Sequence, residues 1–302
     1  MFKSKNSMSR ALVRRETTAG YLFLLPSLFF FVTFVLYPMF LCIYTSFFDS
    51  NMGKNAVDVF VGLGNYKELF RDKLFLGALK NTVVIVVVAV PTVCAFSLWV
   101  ATAIYDMKPA LTSAFRCIFY LPVVTGSVAV TVVWKWMYNS RYGVFNYLFK
   151  SLGIIDQNIN WLGDARFALW CIILILFTTS VGQPIVLYVS ALGNVDHSLV
   201  EAAQVDGANR RQVFWKIKWA QIMPTTLYIL IITTINSFQC FVLIQLLTSG
   251  GPTHSTDTIM YYIYYTAFKL YRYGYGNAMG VVLMIIIAVL SAVQFKLGQQ
   301  SD

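Results

Sequence analysis

The sequence predicts an all-α membrane protein with six transmembrane helices and a long polar loop between the fourth and the fifth. Three observations carry this. Of the 302 residues, 58% are apolar and only 12% charged, about half the charged share of an ordinary soluble domain. Several apolar runs reach the roughly 20 residues that cross a hydrocarbon core about 30 Å thick. Within each run the apolar residues are continuous rather than alternating, which selects helices over a β-barrel.

The chain opens on a basic tail, residues 1–19, carrying Lys3, Lys5, Arg10, Arg14 and Arg15. The apolar run 21–48 follows. It is about twice as long as a signal-peptide core and no small-residue cleavage pattern follows it, so it reads as the first span of a transmembrane unit covering 20–302. Further spans are expected at 75–105, 114–138, 168–192, 224–247 and 276–296. Pro26, Pro38, Pro91, Pro122 and Pro184 fall in or near these spans, where neighbouring helices and water satisfy the freed backbone groups. The loops 49–74, 139–167 and 248–275 are each too short for a separate binding domain. Basic residues divide almost evenly between the two sides. The tail beside the first span nevertheless holds its cations against Glu16 alone, which favours both termini in the cytoplasm.

Net charge is +10. The cations sit at the ends of apolar runs, which suits lipid headgroups and cytoplasmic loops rather than nucleic acid. Cys42, Cys94, Cys117, Cys171 and Cys240 lie singly in or beside apolar runs, at no zinc or disulfide spacing, and read as small hydrophobes. The two histidines, His197 and His254, are expected in loops on opposite sides, which gives a metal centre or a catalytic pair no support. Without G-x-x-x-x-G-K-[ST] there is no P-loop to cradle a nucleotide. All 13 acids fall outside the expected spans or at their edges. The alternative class, an ion-coupled secondary transporter of a small polar solute, usually keeps an acid near mid-membrane.

The loop 194–223 is the most informative segment. Ser198 is placed to cap a short helix, with Glu201 three residues on as its capping-box partner, and Asp206–Gly207 is a turn dipeptide that ends it. Beyond the turn, Val213, Phe214 and Ile217 form an apolar patch while Arg210, Arg211, Lys216 and Lys218 face elsewhere. Two short helices at right angles are therefore expected beneath the membrane. A basic amphipathic stretch usually lies in the headgroup layer. The order Glu201–Ala202–Ala203, three residues, Gly207, nine residues, Ile217 is more specific, and it resembles the cytoplasmic coupling motif of permeases in binding-protein-dependent ABC importers. A second block, Phe241 to Pro252, resembles the end of the fifth span in maltose-type sugar permeases, as do Lys80–Asn81–Thr82 and Tyr261 to Phe268. That family places Leu-Pro two residues after the isoleucine. Trp219–Ala220 stands there instead, so the second half of the loop is expected to be straighter or differently angled.

The resemblance implies a subunit that moves a sugar, a di- or oligosaccharide, across the bacterial cytoplasmic membrane by alternating access and hydrolyses nothing itself. ATP and Mg would be bound by two partner ATPase subunits, and no cofactor by this chain. The other implied partners are a second, different permease subunit, an extracytoplasmic sugar-binding protein and membrane lipid. Glu201, Ala202, Ala203, Asp206, Gly207 and Ile217 would couple to the ATPase, Glu201 by offering a charge and the alanines by permitting close approach.

A sugar site in a membrane needs neutral hydrogen-bonding groups flanked by aromatic rings. On the fifth span Thr233, Asn236, Ser237 and Gln239 qualify, and Thr233 and Ser237 lie four apart on one face. The resemblance assigns sugar contacts to the positions of Thr233 and Ser237 and adds Ser127, Ser180 and Gly182, with Gln183 beside them. The same polar residues also suit hydrogen bonds between helices.

Overall fold

The structure, a computed structural model, describes residues 3–50 and 58–299. Parts of three sequence-based segments lie outside the described residues: 1–2 of the tail, 51–57 of the first loop and 300–302 of the transmembrane unit.

The first helix, α1 (Lys3–Phe31), passes through a π-helical turn (Val32–Leu36) into α2 (Tyr37–Thr45). Glu16–Thr45 of this rod is long and apolar enough to cross a membrane. A minimal antiparallel ribbon follows, β1 (Phe48–Asp49) with β2 (Val59–Phe60), in which Phe48 pairs with Phe60. The chain then runs through α3 (Gly64–Leu69), α4 (Lys73–Tyr105), α5 (Pro109–Val124), α6 (Ser127–Met137), α7 (Val144–Ser151), α8 (Ala168–Ser180), α9 (Gly182–Gly193) and α10 (His197–Val205). After α11 (Arg210–Val213) a π-helical turn, Phe214–Lys218, leads into α12 (Trp219–Phe238). The remaining helices are α13 (Val242–Leu247), α14 (Ile259–Tyr264) and α15 (Tyr273–Gln299).

Helix α4 is the axis of the bundle. It starts where the Asp72 carboxylate accepts the Leu74 N–H at 2.8 Å, an N-cap that satisfies an orphan donor. Its buried residues run from Phe75 to Ile104, and one face, Val93, Val100, Ala101 and Ile104, packs against Ile185, Tyr188 and Leu192 of α9 and Ile222 and Ile229 of α12. Towards the other end of the bundle, Phe75 and Ala78 of α4 meet Ile259 and Tyr262 of α14 and Tyr275, Met279 and Leu283 of α15. A third cluster gathers Tyr138, Ile172 and Ile175 of α8 and Leu243, Ile244 and Leu247 of α13. The first span stands apart. Its described side chains from 16 to 34 are exposed, and it is held to α15 near its end, where Asn277 Nδ2 donates to Thr45 Oγ1 at 2.6 Å.

Three spans depart from single rods. The expected span 114–138 begins earlier, at Pro109, and breaks at Thr125–Gly126, where both residues are extended (ψ 126° and 136°), so that α5 and α6 meet at 94°. Pro122 has already removed one helical donor a turn before the break. The expected span 168–192 is interrupted at Val181, between α8 and α9. The expected span 224–247 starts lower than its boundary, since the apolar span begins at Arg210 and reaches Leu247, with a break at Gln239–Phe241 between α12 and α13. The second short helix expected in the loop 194–223 is therefore no separate element. It is the start of the fifth span, α11 and the π-helical turn running straight into α12 through Trp219–Ala220.

Candidate functional site

Backbone that leaves the helix at membrane depth needs new partners, because lipid offers none. The α8–α9 junction is the mildest of the three: Val181 keeps helical φ/ψ and its carbonyl still accepts the Ile185 N–H at 3.1 Å, with the Ser97 hydroxyl as a second donor at 3.3 Å. At Cys240 the carbonyl accepts the Thr258 hydroxyl at 2.7 Å. Irregular backbone in a membrane is otherwise found where it lines a cavity, and all three interruptions do so.

Two adjoining cavities share Val123, Thr179 and Asn236. One, of about 310 Å³, lies in the elbow between α5 and α6 and faces the α12–α13 interruption. Thr125 and Ser127 stand on one side of it, Gln239 and Phe241 on the other. The second, of about 160 Å³, lies between α9 and α12 beside the α8–α9 interruption, among Ser180, Gln183, Tyr228, Thr233 and Asn236. Helical period explains both walls. Thr179, Gln183 and Leu187 are four apart, and Ile229, Ile232, Thr233 and Asn236 follow the i, i+3, i+4, i+7 pattern, so each set shares a face. Among the described residues no charged side chain lines either cavity. The arrangement offers neutral donors and acceptors with the Tyr228 and Phe241 rings, and it holds no nucleophile with a base.

Six of the candidate polar residues therefore come together here: Ser127, Ser180, Gln183, Thr233, Asn236 and Gln239. Ser237 is 2% exposed and lies outside both linings. Gly182 also lies outside them, at the crossing of α9 and α5, where an added Cβ would collide with the carbonyl oxygen of Phe119. Thr125, Thr179 and Tyr228 join the site without having been singled out in the sequence. The helical period running back from Gln183 and Thr233 is the signal that finds Thr179 and places Tyr228 nearby.

The loop 194–223 forms differently from the expected capping box. Asp196, not Ser198, caps α10: its Oδ1 accepts the Ser198 N–H at 2.9 Å and the Ser198 hydroxyl at 2.7 Å. Asp196 takes the extended N-cap conformation (ψ 110°), which puts Ser198 inside the helix and releases Glu201 from any capping role. The hydrogen bonds from the Ser198 hydroxyl and N–H hold the Asp196 carboxyl below the usual carboxylate range. A capping box does occur, at the start of α11, between Asn209 and Gln212. Gly207 adopts φ +81° and closes the turn, with the Ala208 N–H bonded to Ala203 at 2.9 Å.

Val213 is buried and anchors the second segment, with Phe214 and Ile217 half-buried beside it. Glu201, Ala202, Asp206 and Gly207 are exposed and Ala203 half-buried. The result is a small, projecting helix with a carboxylate and alanine surface, followed by a segment anchored through Val213.

Helices that cross a membrane, three of them interrupted around a neutral cleft, together with one projecting loop, define a multi-pass membrane permease. Residues 61–299 match the model of the family described as binding-protein-dependent transport system inner membrane component, and the chain belongs to that family. It is a permease subunit of an ABC importer and not an enzyme. The probable ABC transporter permease protein YesP of Bacillus subtilis is 33% identical over 288 residues, covering 94% of this chain and 91% of that one. The lactose transport system permease protein LacF of Rhizobium radiobacter is 32% identical, with 94% and 95% covered. The multiple sugar-binding transport system permease protein MsmF of Streptococcus mutans is 32% identical, with 94% and 96% covered. A chain of a bacterial alginate ABC transporter, solved in complex with an alginate-bound periplasmic protein, has the same fold, with TM-score 0.80 at 24% identity and 93% of each chain covered.

Proposed function

We propose that this subunit carries a neutral sugar, a di- or oligosaccharide, by alternating access. Separate ATPase subunits drive it by docking on the loop of Glu201 and Gly207. The observation that carries the cargo assignment is the cleft at the three helix interruptions, which is lined by uncharged hydrogen-bonding side chains and two aromatic rings. Discontinuous membrane helices put hydrogen-bonding groups at the substrate in transporters, and rings give a sugar its flat apolar face to stack on. Among the described residues the cleft offers no cation to a phosphate. Relatives named for lactose and for multiple sugars agree with this reading.

The loop 194–223 faces the cytoplasm, where ATP is, and both termini lie on that side. Two ATPase subunits hold the ATP and Mg. This chain supplies one wall of the pathway and a second, different permease subunit supplies the other. The first span, exposed to other chains or lipid from 16 to 34, supports the presence of such neighbours. An extracytoplasmic binding protein delivers the sugar to the opposite face.

The test is reconstitution of the permease pair with its ATPases and binding protein in proteoliposomes, with uptake of labelled oligosaccharide as the readout. Asn236→Leu and Thr179→Leu place bulk at the shared wall of the two cavities. Uptake should fall at least tenfold, about 1.4 kcal/mol in transition-state terms, while the complex still assembles. Undiminished uptake by both variants removes the cleft from the pathway.

A further inference from the structure

Between α10 and the body of the bundle lies a cavity of about 720 Å³, separate from the transport cleft. The helix α10 divides its residues between two environments. His197, Val200 and Gln204, three and four apart, line the cavity. Glu201, Ala202 and Val205 lie outside that lining, Val205 at 87% exposure; of the lining residues Val200 is half-buried while His197 and Gln204 are exposed, so the chamber is open to solvent. One face of the helix is thus free for a docking protein while the other borders a chamber whose far wall is the end of α4, at Thr102, Tyr105 and Asp106.

The chamber is basic. Arg210 and Lys218 line it against one carboxylate, Asp106, and among the described residues neither cation has a carboxylate within ion-pair distance. The Lys218 ammonium lies 5.3 Å from the centroid of the Tyr105 ring, so the cation is positioned by an aromatic face with its donors left over. Arg and Lys are the side chains that hold phosphate, Arg through its planar fork and Lys as a point charge. The remaining wall mixes amide groups, Gln204 and Asn209, with the apolar Leu192, Val213 and Phe214, which suits a carbon body behind an anionic end. The volume falls within the roughly 300–1,000 Å³ of small-molecule sites.

We propose that this chamber binds a small phosphate-bearing ligand, and that its occupancy fixes α10 against α4 and so regulates ATPase-coupled transport. The regulatory half rests on the reading that α10 is where the ATPase docks. A ligand shifts an equilibrium only by binding its two states unequally, and a chamber walled by α10, α11 and α4 changes shape whenever the docking helix moves against the bundle. The phosphate has two sources, a soluble phosphorylated metabolite or the headgroup of an anionic lipid, since the chamber opens at the end of the membrane-spanning helices.

The experiment uses the assembled complex in nanodiscs. In phosphatidylcholine alone, equilibrium dialysis with glucose 6-phosphate should give saturable binding that glucose does not compete for. Arg210→Gln and Lys218→Gln should each weaken it at least about tenfold, the loss expected for one charged hydrogen bond, with the ATPase still copurifying. In a second arm a photoactivatable phosphatidylglycerol replaces the sugar phosphate. Arg210-dependent crosslinking to the 194–223 segment in that arm alone assigns the site to a headgroup. Absence of both signals, or signals that survive both substitutions, overturns the site. Binding that leaves the ATPase rate unshifted overturns the regulatory half. If Glu201→Lys leaves ATPase assembly intact, the docking reading fails instead, and the dialysis result stands apart from it.

Discussion

The hydroxyl of Thr258 donates to the carbonyl of Cys240 across 2.7 Å and supplies the bond that the fifth span loses between α12 and α13. The same oxygen accepts the Tyr261 N–H at 3.3 Å and caps α14. One buried side chain thus serves a helix end and a helix gap. Thr258→Val keeps the shape and strands the buried carbonyl, at a cost of about 1–3 kcal/mol. It should lower the thermal unfolding midpoint of the purified complex, and Thr258→Ser should largely restore it. Equal midpoints for Val and wild type would show that the bond contributes nothing.

Gly182 sits where α9 crosses α5. A Cβ there would collide with the Phe119 carbonyl oxygen and stand 2.9 Å from a methyl of Val123. Backbone cannot yield as a flexible side chain does, so Gly182→Val should cost about 1–3 kcal/mol by overpacking. Gly126, at the neighbouring elbow, has nothing within 4 Å of such a carbon, and Gly126→Ala should be tolerated. Yield of monodisperse protein and its unfolding midpoint separate the two outcomes.

On the face opposite the loop 194–223, Asp72 accepts the hydroxyls of Tyr262 at 2.7 Å and Tyr275 at 2.9 Å. Burial alone would raise its pKa. The hydrogen bonds from Tyr262, Tyr275 and the Leu74 and Phe75 N–H groups outweigh that and hold it below the ordinary 3.8. A carboxyl with a depressed native pKa contributes stability above its unfolded value and loses it as pH falls through the native one. The Asp72→Asn variant lacks that titration. Between about pH 5 and about pH 3 the wild type should therefore lose more of its unfolding midpoint than the variant does. Parallel curves would contradict the assignment.

The spans were legible because each carries about 20 continuous apolar residues, and lipid demands that length. The elbow at Thr125–Gly126 was not, since the apolar run passes through it without a charge or a change of composition, and Pro122 is equally at home in an intact membrane helix. At the cleft, Asn236, Gln183 and Ser127 stood out as polar exceptions in apolar runs. Which of them reach the cavities depends on the rotation of each helix against its neighbours. For that reason Thr179 and Tyr228 went unnoticed, and Ser237, four residues from Thr233, proved to be outside the linings. In the loop the spacing from Glu201 to Ile217 was visible, whereas the choice of Asp196 over Ser198 as cap depends on a backbone turn that the sequence leaves open between two good capping residues.

The exposed carboxylate of Glu201, on the short helix α10 that ends at the Gly207 turn, makes the central claim testable by charge reversal. ATP-driven uptake of labelled oligosaccharide should be measured for Glu201→Lys in proteoliposomes, alongside copurification of the ATPase subunits. Uptake and ATPase copurification should both fall at least about tenfold while the permease pair stays folded. Uptake and copurification at the wild-type level would contradict the docking of an ATPase on this loop.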